Sequence, residues 1–380
     1  MGWHVIIVSS SIWFRHTHAV MSSFGRGGVR FWLMIAVWCV WAGSGCGRAA
    51  QAADDQVRPT GGNTGAATTQ GTAPALPSAT QPTAPAAPAT PSAGQSEAKT
   101  PMWGVFVGNE PKNVTQYEQW LGKPTDAILG YTGDAHWADY DGSIGWAMGV
   151  WAHADRRVLW SVALMPQNAT LADAARGLYN GHYRRAAEML AKWRPQEPVV
   201  YIRTGWEFNG GWFHYNAIGQ PQNFIGAWRQ FVTTFRSVSP RFRFDWCPAG
   251  CDWFPATEAA YPGDQYVDII GLDVYDQARW SKVADPAERW QKKYLHGPWG
   301  LVWHRDFAKK HNKPMSYPEW GGGGNDAGDN PYFIEHMHQW FLDNHVLYAT
   351  YWNSNSAYRG RISGDAYPKA GAMYKQLFIH

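Results

Sequence analysis

From residue 102 onward the chain alternates eight short apolar runs with amphipathic stretches. The runs fall at 103–107, 127–129, 158–164, 199–203, 242–246, 267–272, 314–317 and 347–352. Most are separated by helix-like sequence. Phe224, Ile225, Trp228, Phe231, Val232 and Phe235 keep a 3.6-residue period. Thr170 to Asp173 has the pattern of a capping box, and Asn330 with Pro331 reads as a cap and first turn. Eight β/α units in about 280 residues fit a (β/α)8 TIM barrel, in the α/β class. A doubly wound open sheet has the same periodicity, so period alone does not separate the two. No internal repeat of short period is evident.

The sequence ahead of this region cannot join its core. Ala49 to Thr100 is built of Ala, Pro, Thr, Gly, Ser and Gln. So few large apolar side chains cannot offset the entropy of folding, and 49–100 reads as a disordered tether. Further upstream, Arg26 and Arg30 precede the apolar run from Phe31 to Ala42, followed by Gly43, Ser44, Gly45 and Cys46. This is the layout of an export signal, with Met21 as an alternative start. The segment around Cys46 has the shape of a lipid-attachment site, with Gly43 where Leu is usual. Residues 1–48 are therefore expected to be a signal peptide or lipoprotein anchor, and 101–380 the catalytic domain. The product would be periplasmic, cell-surface or secreted.

Charge excludes one class of partner. With 33 Lys and Arg against 30 Asp and Glu, the net charge is +3, which makes no case for nucleic-acid binding. The 24 Trp residues are the outlier, and only five precede residue 101. Indole rings suit both a large core and stacking on sugars. Cys247 and Cys251 form an isolated C-x3-C pair. Without a second pair there is no four-ligand zinc site, so an exported chain would hold a local disulfide here or two free thiols.

Catalytic groups of a TIM barrel sit at the C-terminal ends of its strands. The fourth run leads through Arg203, Thr204, Gly205 and Trp206 to Glu207. The seventh leads through Tyr317 and Pro318 to Glu319, followed by Trp320 and Gly321. Strand alternation would set Arg203, Gly205 and Glu207 on one face. Paired carboxylates serve glycoside hydrolysis, one as acid and one as nucleophile or base. Apolar neighbours such as Trp206 and Phe208 would raise the pKa of the acid, and a nearby Arg would keep the nucleophile ionised.

The segment from Arg203 to Phe213 resembles the acid/base motif of glycoside hydrolase family 26, which contains mostly β-mannanases of the retaining clan A. Pro318, Glu319, Trp320 and Gly321 resemble the clan's nucleophile strand end. Gly271 to Asp276 is similar to the family's sixth-strand motif, and Tyr351, Trp352 and Asn353 to its eighth. The resemblance runs in order over roughly residues 103–376. It implies double displacement, with Glu207 as acid/base and Glu319 as nucleophile. Tyr275 would hydrogen-bond the nucleophile, and Trp352 would floor the cleavage subsite. Many members carry His before the acid/base, where this chain has Trp206; that departure bears on mannan specificity. Mixed-linkage β-glucan, β-1,3-xylan and bacterial exopolysaccharide are the alternative polymers, and a non-catalytic carbohydrate-binding protein is the alternative class.

Further substrate contacts are expected from Arg203, Trp206, Trp212, Phe213, Trp320 and His136, with Trp246 or Trp253 lining the cleft at the fifth strand end. The mechanism calls for no metal and no cofactor. The expected partner is the polysaccharide itself, engaged by a monomer, with membrane contact only through the N-terminus. The glycine run from Gly322 to Gly324 reads as a mobile loop over the cleft. His336 and His338, two apart on a helix, point to different faces and make a poor metal pair.

Overall fold

The computed structural model describes residues 100–250 and 257–379. The expected signal segment and linker, Cys46, Cys251 and Trp253 lie outside the described residues. Among those described, no helix is long and apolar enough to cross a membrane.

Among the described residues, eight parallel strands close on themselves. They are β1 (Met102–Phe106), β2 (Ala127–Tyr131), β3 (Arg157–Ser161), β4 (Val200–Arg203), β5 (Phe242–Trp246), β6 (Ile269–Gly271), β7 (Met315–Gly321) and β8 (Tyr348–Trp352). Neighbours in sequence pair in order, β1 pairs with β8 from Met102↔Tyr348, and β6 pairs with β7 through Ile270↔Met315. A two-residue extension of β6, Val274–Tyr275, also pairs with β7. Closure settles the barrel against the open sheet.

Alternation along the strands sorts side chains into two layers. Phe106, Leu129, Leu159, Ile269, Tyr348 and Trp352 fill the barrel interior. Trp103, Val105, Ile128, Trp160, Ile202, Phe244 and Tyr351 point outward to the helices. The helix Pro221–Val238 buries Phe224, Ile225, Trp228, Phe231, Val232 and Phe235, the stripe read from the sequence. Thr170 caps its helix by accepting from Asp173 N at 3.1 Å. Asn330 accepts from Phe333 N at 3.4 Å.

Two irregularities position the chemistry. In β7 the register with β8 runs Tyr317↔Ala349 and then Trp320↔Tyr351, so β7 carries one extra residue. Tyr317 packs outward against His304 and Phe341. Strict alternation would then send Glu319 outward as well. The bulge at Pro318 reverses the parity, so Glu319 turns into the barrel and Trp320 out of it. In β6, the strand breaks after Gly271, where Asp245 lies against the backbone; a Cβ on Gly271 would lie 2.5 Å from Asp245 Oδ1.

Candidate active site

Glu207 is not on a strand. β4 ends at Arg203, and the chain then turns with Gly205 at φ 52° and Glu207 at φ 51°. A left-handed Glu is uncommon, and such backbone concentrates at functional sites. The turn is anchored by Glu207 N donating to Cys247 O at 2.8 Å. Asn209 ties it to the next strand end, donating to Ala249 O and accepting from Ala249 N, both at 2.8 Å. The face-sharing expected of Arg203, Gly205 and Glu207 therefore gives way to a turn, with the same consequence that Arg203 lies near the carboxyl.

Burial and the charge of Glu319 push Glu207 up to about 8, against the opposing pull of a hydrogen bond from Trp212 and of Arg203. Trp212 Nε1 donates to Glu207 Oε2 at 2.7 Å. Such a carboxyl stays protonated at neutral pH and is suited to donate a proton.

Three donors converge on Glu319. Arg203 Nη2 reaches Oε1 at 2.5 Å, Tyr131 OH also donates to Oε1, and Tyr275 OH donates to Oε2 at 2.6 Å. Arg203 is buried and fully used. Its Nη1 donates to both oxygens of Asp273 at 3.0 Å, its Nε to Ser161 Oγ at 3.1 Å, and its Nη2 also to Tyr131 OH. Asp273 in turn accepts from Glu319 N at 2.9 Å and from the Cys247 thiol at 3.2 Å. Strand ends β2, β3, β4, β6 and β7 thus meet in one network around one carboxylate.

Aromatic rings wall this network. Trp206 is 7% exposed, lies 5.1 Å from the Arg203 guanidinium, and meets Tyr131 and Phe213 edge to face. Phe213 stacks on Tyr215 at 4.8 Å. Trp352 stacks on Phe106 at 4.0 Å, stands perpendicular to Tyr275 and Tyr131, and donates to Tyr358 O at 3.2 Å.

Several expected contacts lie elsewhere. Trp320 is fully buried among Phe341, Tyr351, Tyr374 and Phe378, because the bulge that brings Glu319 in turns its neighbour out. Trp246 likewise packs outward against Phe208, Tyr261 and Phe307. His136 is a helix cap, its Nδ1 accepting from Asp139 N at 3.1 Å. The stretch Gly324–Ala327 is a short helix, not an open loop; Gly324 N donates to Arg359 O and Gly324 O accepts from Tyr367 OH. Cys247 is a free, buried thiol, and its expected partner Cys251 is outside the described residues. Among the described residues, no group of three or more His, Cys, Asp and Glu is placed to hold a metal ion.

The sequence reading missed Tyr131, Ser161 and Asp273. Tyr131 ends β2 on the inward parity of Leu129, which is the signal that would have found it. Asp273 was inside a motif read only for its Tyr275.

The pattern of glycosyl hydrolase family 26 matches residues 168–292, which hold Glu207 and Asp273. Among solved structures, a Bacillus subtilis mannanase, BCman, shares 16% identity at TM-score 0.50, over 71% of this chain and 86% of that one. A GH26 β-mannanase from Bacteroides ovatus shares 16% at 0.51, over 75% and 89%. A modular endo-β-1,4-mannanase from Cellulomonas fimi shares 15% at 0.50, over 69% and 67%. No curated protein sequence matches the chain. The structural likenesses carry the barrel fold, and over residues 168–292 the chain resembles the enzymes of glycosyl hydrolase family 26.

Proposed function

We propose that this chain is an exported, retaining endo-β-glycosidase that hydrolyses a β-linked polysaccharide by double displacement. The observation that carries this is the contrast between two carboxyls in one barrel mouth. Glu207 is raised to about 8 by burial and by the charge of Glu319. Glu319 receives Arg203, Tyr131 and Tyr275, the hydrogen-bonding environment of a charged nucleophile.

In the first step Glu207 gives its proton to the glycosidic oxygen as Glu319 attacks the anomeric carbon, forming a glycosyl ester and releasing the leaving sugar. In the second, Glu207 takes a proton from water, which opens the ester and returns Glu319. Trp352 would floor the cleaved sugar, with Trp212 and Phe213 on the leaving-group side. The chain would act as a monomer, held at the cell surface or released after export, with lipid attachment at Cys46 as one anchor.

A β-mannan-like polymer is the first substrate, on the strength of the mannanases among the structural neighbours. Trp206 favours a second reading. It stands directly before the acid/base Glu207, where many family members carry His, and its indole packs over Arg203. That suits mixed-linkage β-glucan, β-1,3-xylan or a bacterial exopolysaccharide.

A product screen of the whole chain against these polymers tests the proposal, with Glu207→Ala and Glu319→Ala as controls. Oligosaccharides that require both Glu residues support it and fix the substrate. Equal, negligible release by wild type and Glu319→Ala from every polymer that binds would leave a carbohydrate-binding protein instead.

A further inference from the structure

Just past Trp352 the chain borders a cavity of about 120 Å³, many times the roughly 10–15 Å³ that one water needs. Its walls include Asn113, Gln116, Ser354, Asn355, Arg361 and Ser363, and none of its eight lining residues is acidic. The frame is built. Asn353 Nδ2 donates to Ser363 Oγ at 2.9 Å, Ser363 N returns to Asn353 Oδ1 at 3.0 Å, and Asn355 Oδ1 accepts from Arg361 N at 3.2 Å. Asn353 N also donates to Phe106 O at 2.9 Å, which fixes the frame to the C-terminal ends of β8 and β1.

Arg361 stands apart from the arginines that shape the barrel. Arg203 and Arg289 are paired with buried Asp273 and Asp276, and Arg241 donates to four backbone carbonyls. Among the described residues, nothing pairs with the Arg361 guanidinium; only its backbone N–H is engaged. A planar cation facing a polar cavity without a carboxylate is matched by a ligand that brings one, because the guanidinium fork fits a carboxylate in two parallel hydrogen bonds.

We propose that this cavity is a subsite for a uronate unit of the polysaccharide, with Arg361 as the carboxylate-binding group. The inference rests on the glycosidase reading, in which the cleaved sugar lies over Trp352. β8 and β1 stand across the barrel from β4, whose end carries Glu207, and the cavity lies at their ends against the helix Pro111–Leu121, which carries Asn113 and Gln116. The amide and hydroxyl groups around Arg361 would take the sugar hydroxyls. Within the glycosidase reading, this subsite narrows the substrate from the β-mannan-like polymer first proposed to an acidic β-linked one.

The test is calorimetric binding to the whole chain carrying Glu319→Gln, which prevents turnover. The probes are a β-1,4-linked mannuronate hexamer, a β-1,4-linked glucuronate hexamer and their neutral counterparts, mannohexaose and cellohexaose. At low salt at least one acidic hexamer should bind roughly tenfold tighter than its neutral partner. Adding Arg361→Gln should close that gap, and high salt should narrow it. Arg361 is exposed, so the variant should keep the melting temperature of its parent. Equal binding of acidic and neutral hexamers, a gap indifferent to Arg361→Gln, or no binding of either acidic hexamer would each overturn the subsite. The two readings fail separately. Glu319-dependent release from neutral mannan alongside such a result keeps the glycosidase and removes the uronate site. Arg361-dependent binding without products from any polymer keeps the site and removes the hydrolase.

Discussion

Trp212 Nε1 donates to Glu207 Oε2 at 2.7 Å, and the indole reaches it by lying over the backbone of Gly210. A Cβ on residue 210 would sit 2.3 Å from that ring, so glycine is required there. The bond favours the charged form of Glu207, whereas burial and Glu319 favour the neutral one. Trp212 therefore holds the carboxyl in place and moderates how far its pKa rises.

Removing that donor should raise Glu207 further. The basic limb of kcat/KM reports loss of the acid's proton, so in Trp212→Phe it should move upward from about 8. One hydrogen bond to a charged group corresponds to a shift of about one pH unit. Rate profiles of the two proteins over pH 5–10 decide the matter. A basic limb that stays in place would show that Trp212 does not act on this carboxyl.

Tyr131 and Tyr275 grip opposite oxygens of Glu319. Tyr131→Phe and Tyr275→Phe should each lower kcat/KM by roughly 10- to 100-fold, the scale of a lost hydrogen bond to a charged group. Burial pushes the Tyr131 phenol well up despite Arg203, so it remains a donor throughout the working range. Tyr131 also accepts from Arg203, so its loss frees one guanidinium proton as well. Single-turnover kinetics on a substrate with a good leaving group separates formation of the glycosyl ester from its hydrolysis. If Tyr131→Phe leaves both steps at the wild-type rate, Tyr131 is packing only.

The sequence carried the barrel because its information is local. Short apolar runs, the Thr170 and Asn330 caps and the stripe from Phe224 to Phe235 each depend on neighbours a few residues away. The two Glu residues were legible because Glu207 follows, and Glu319 sits near, the C-terminal end of a recognisable strand. What escaped depended on parity or on long-range closure. The extra residue in β7 decides that Glu319 faces in and Trp320 out, and nothing local announces it except Pro318. Tyr131 and Ser161 reach the site only because the barrel brings β2 and β3 beside β4 and β7. His136 looked available to a sugar until its ring was found capping a helix.

Arg203 spans Asp273, Ser161, Tyr131 and Glu319 with one planar fork, a geometry that lysine cannot reproduce. Arg203→Lys should abolish most turnover and destabilise the fold by about 3–5 kcal/mol, because Asp273 is left buried and poorly paired. Adding Asp273→Asn removes the stranded charge and should return much of the stability while turnover stays lost. Denaturant melts and activity of the single and double variants test this. Recovery of turnover in the double variant would mean that Arg203 serves only to neutralise Asp273.

The raised acid also predicts a stability profile. Glu207 has a folded pKa near 8, well above its ordinary value, so between about pH 4.5 and 8 the folded chain holds a proton that the unfolded chain has released. Stability from this group is complete below that window and falls as pH rises through it. Glu207→Gln keeps the side chain neutral at every pH and removes the effect. The variant should therefore match wild type near pH 4.5 and melt progressively higher than it up to pH 8, by roughly 2–4 °C for each kcal/mol relieved. Asp245, raised by burial to about 6, titrates in both proteins and cancels in the difference. Melting curves at intervals across this range give the result directly. A constant gap at every pH would mean that Glu207 is ionised in the folded state and is not the acid.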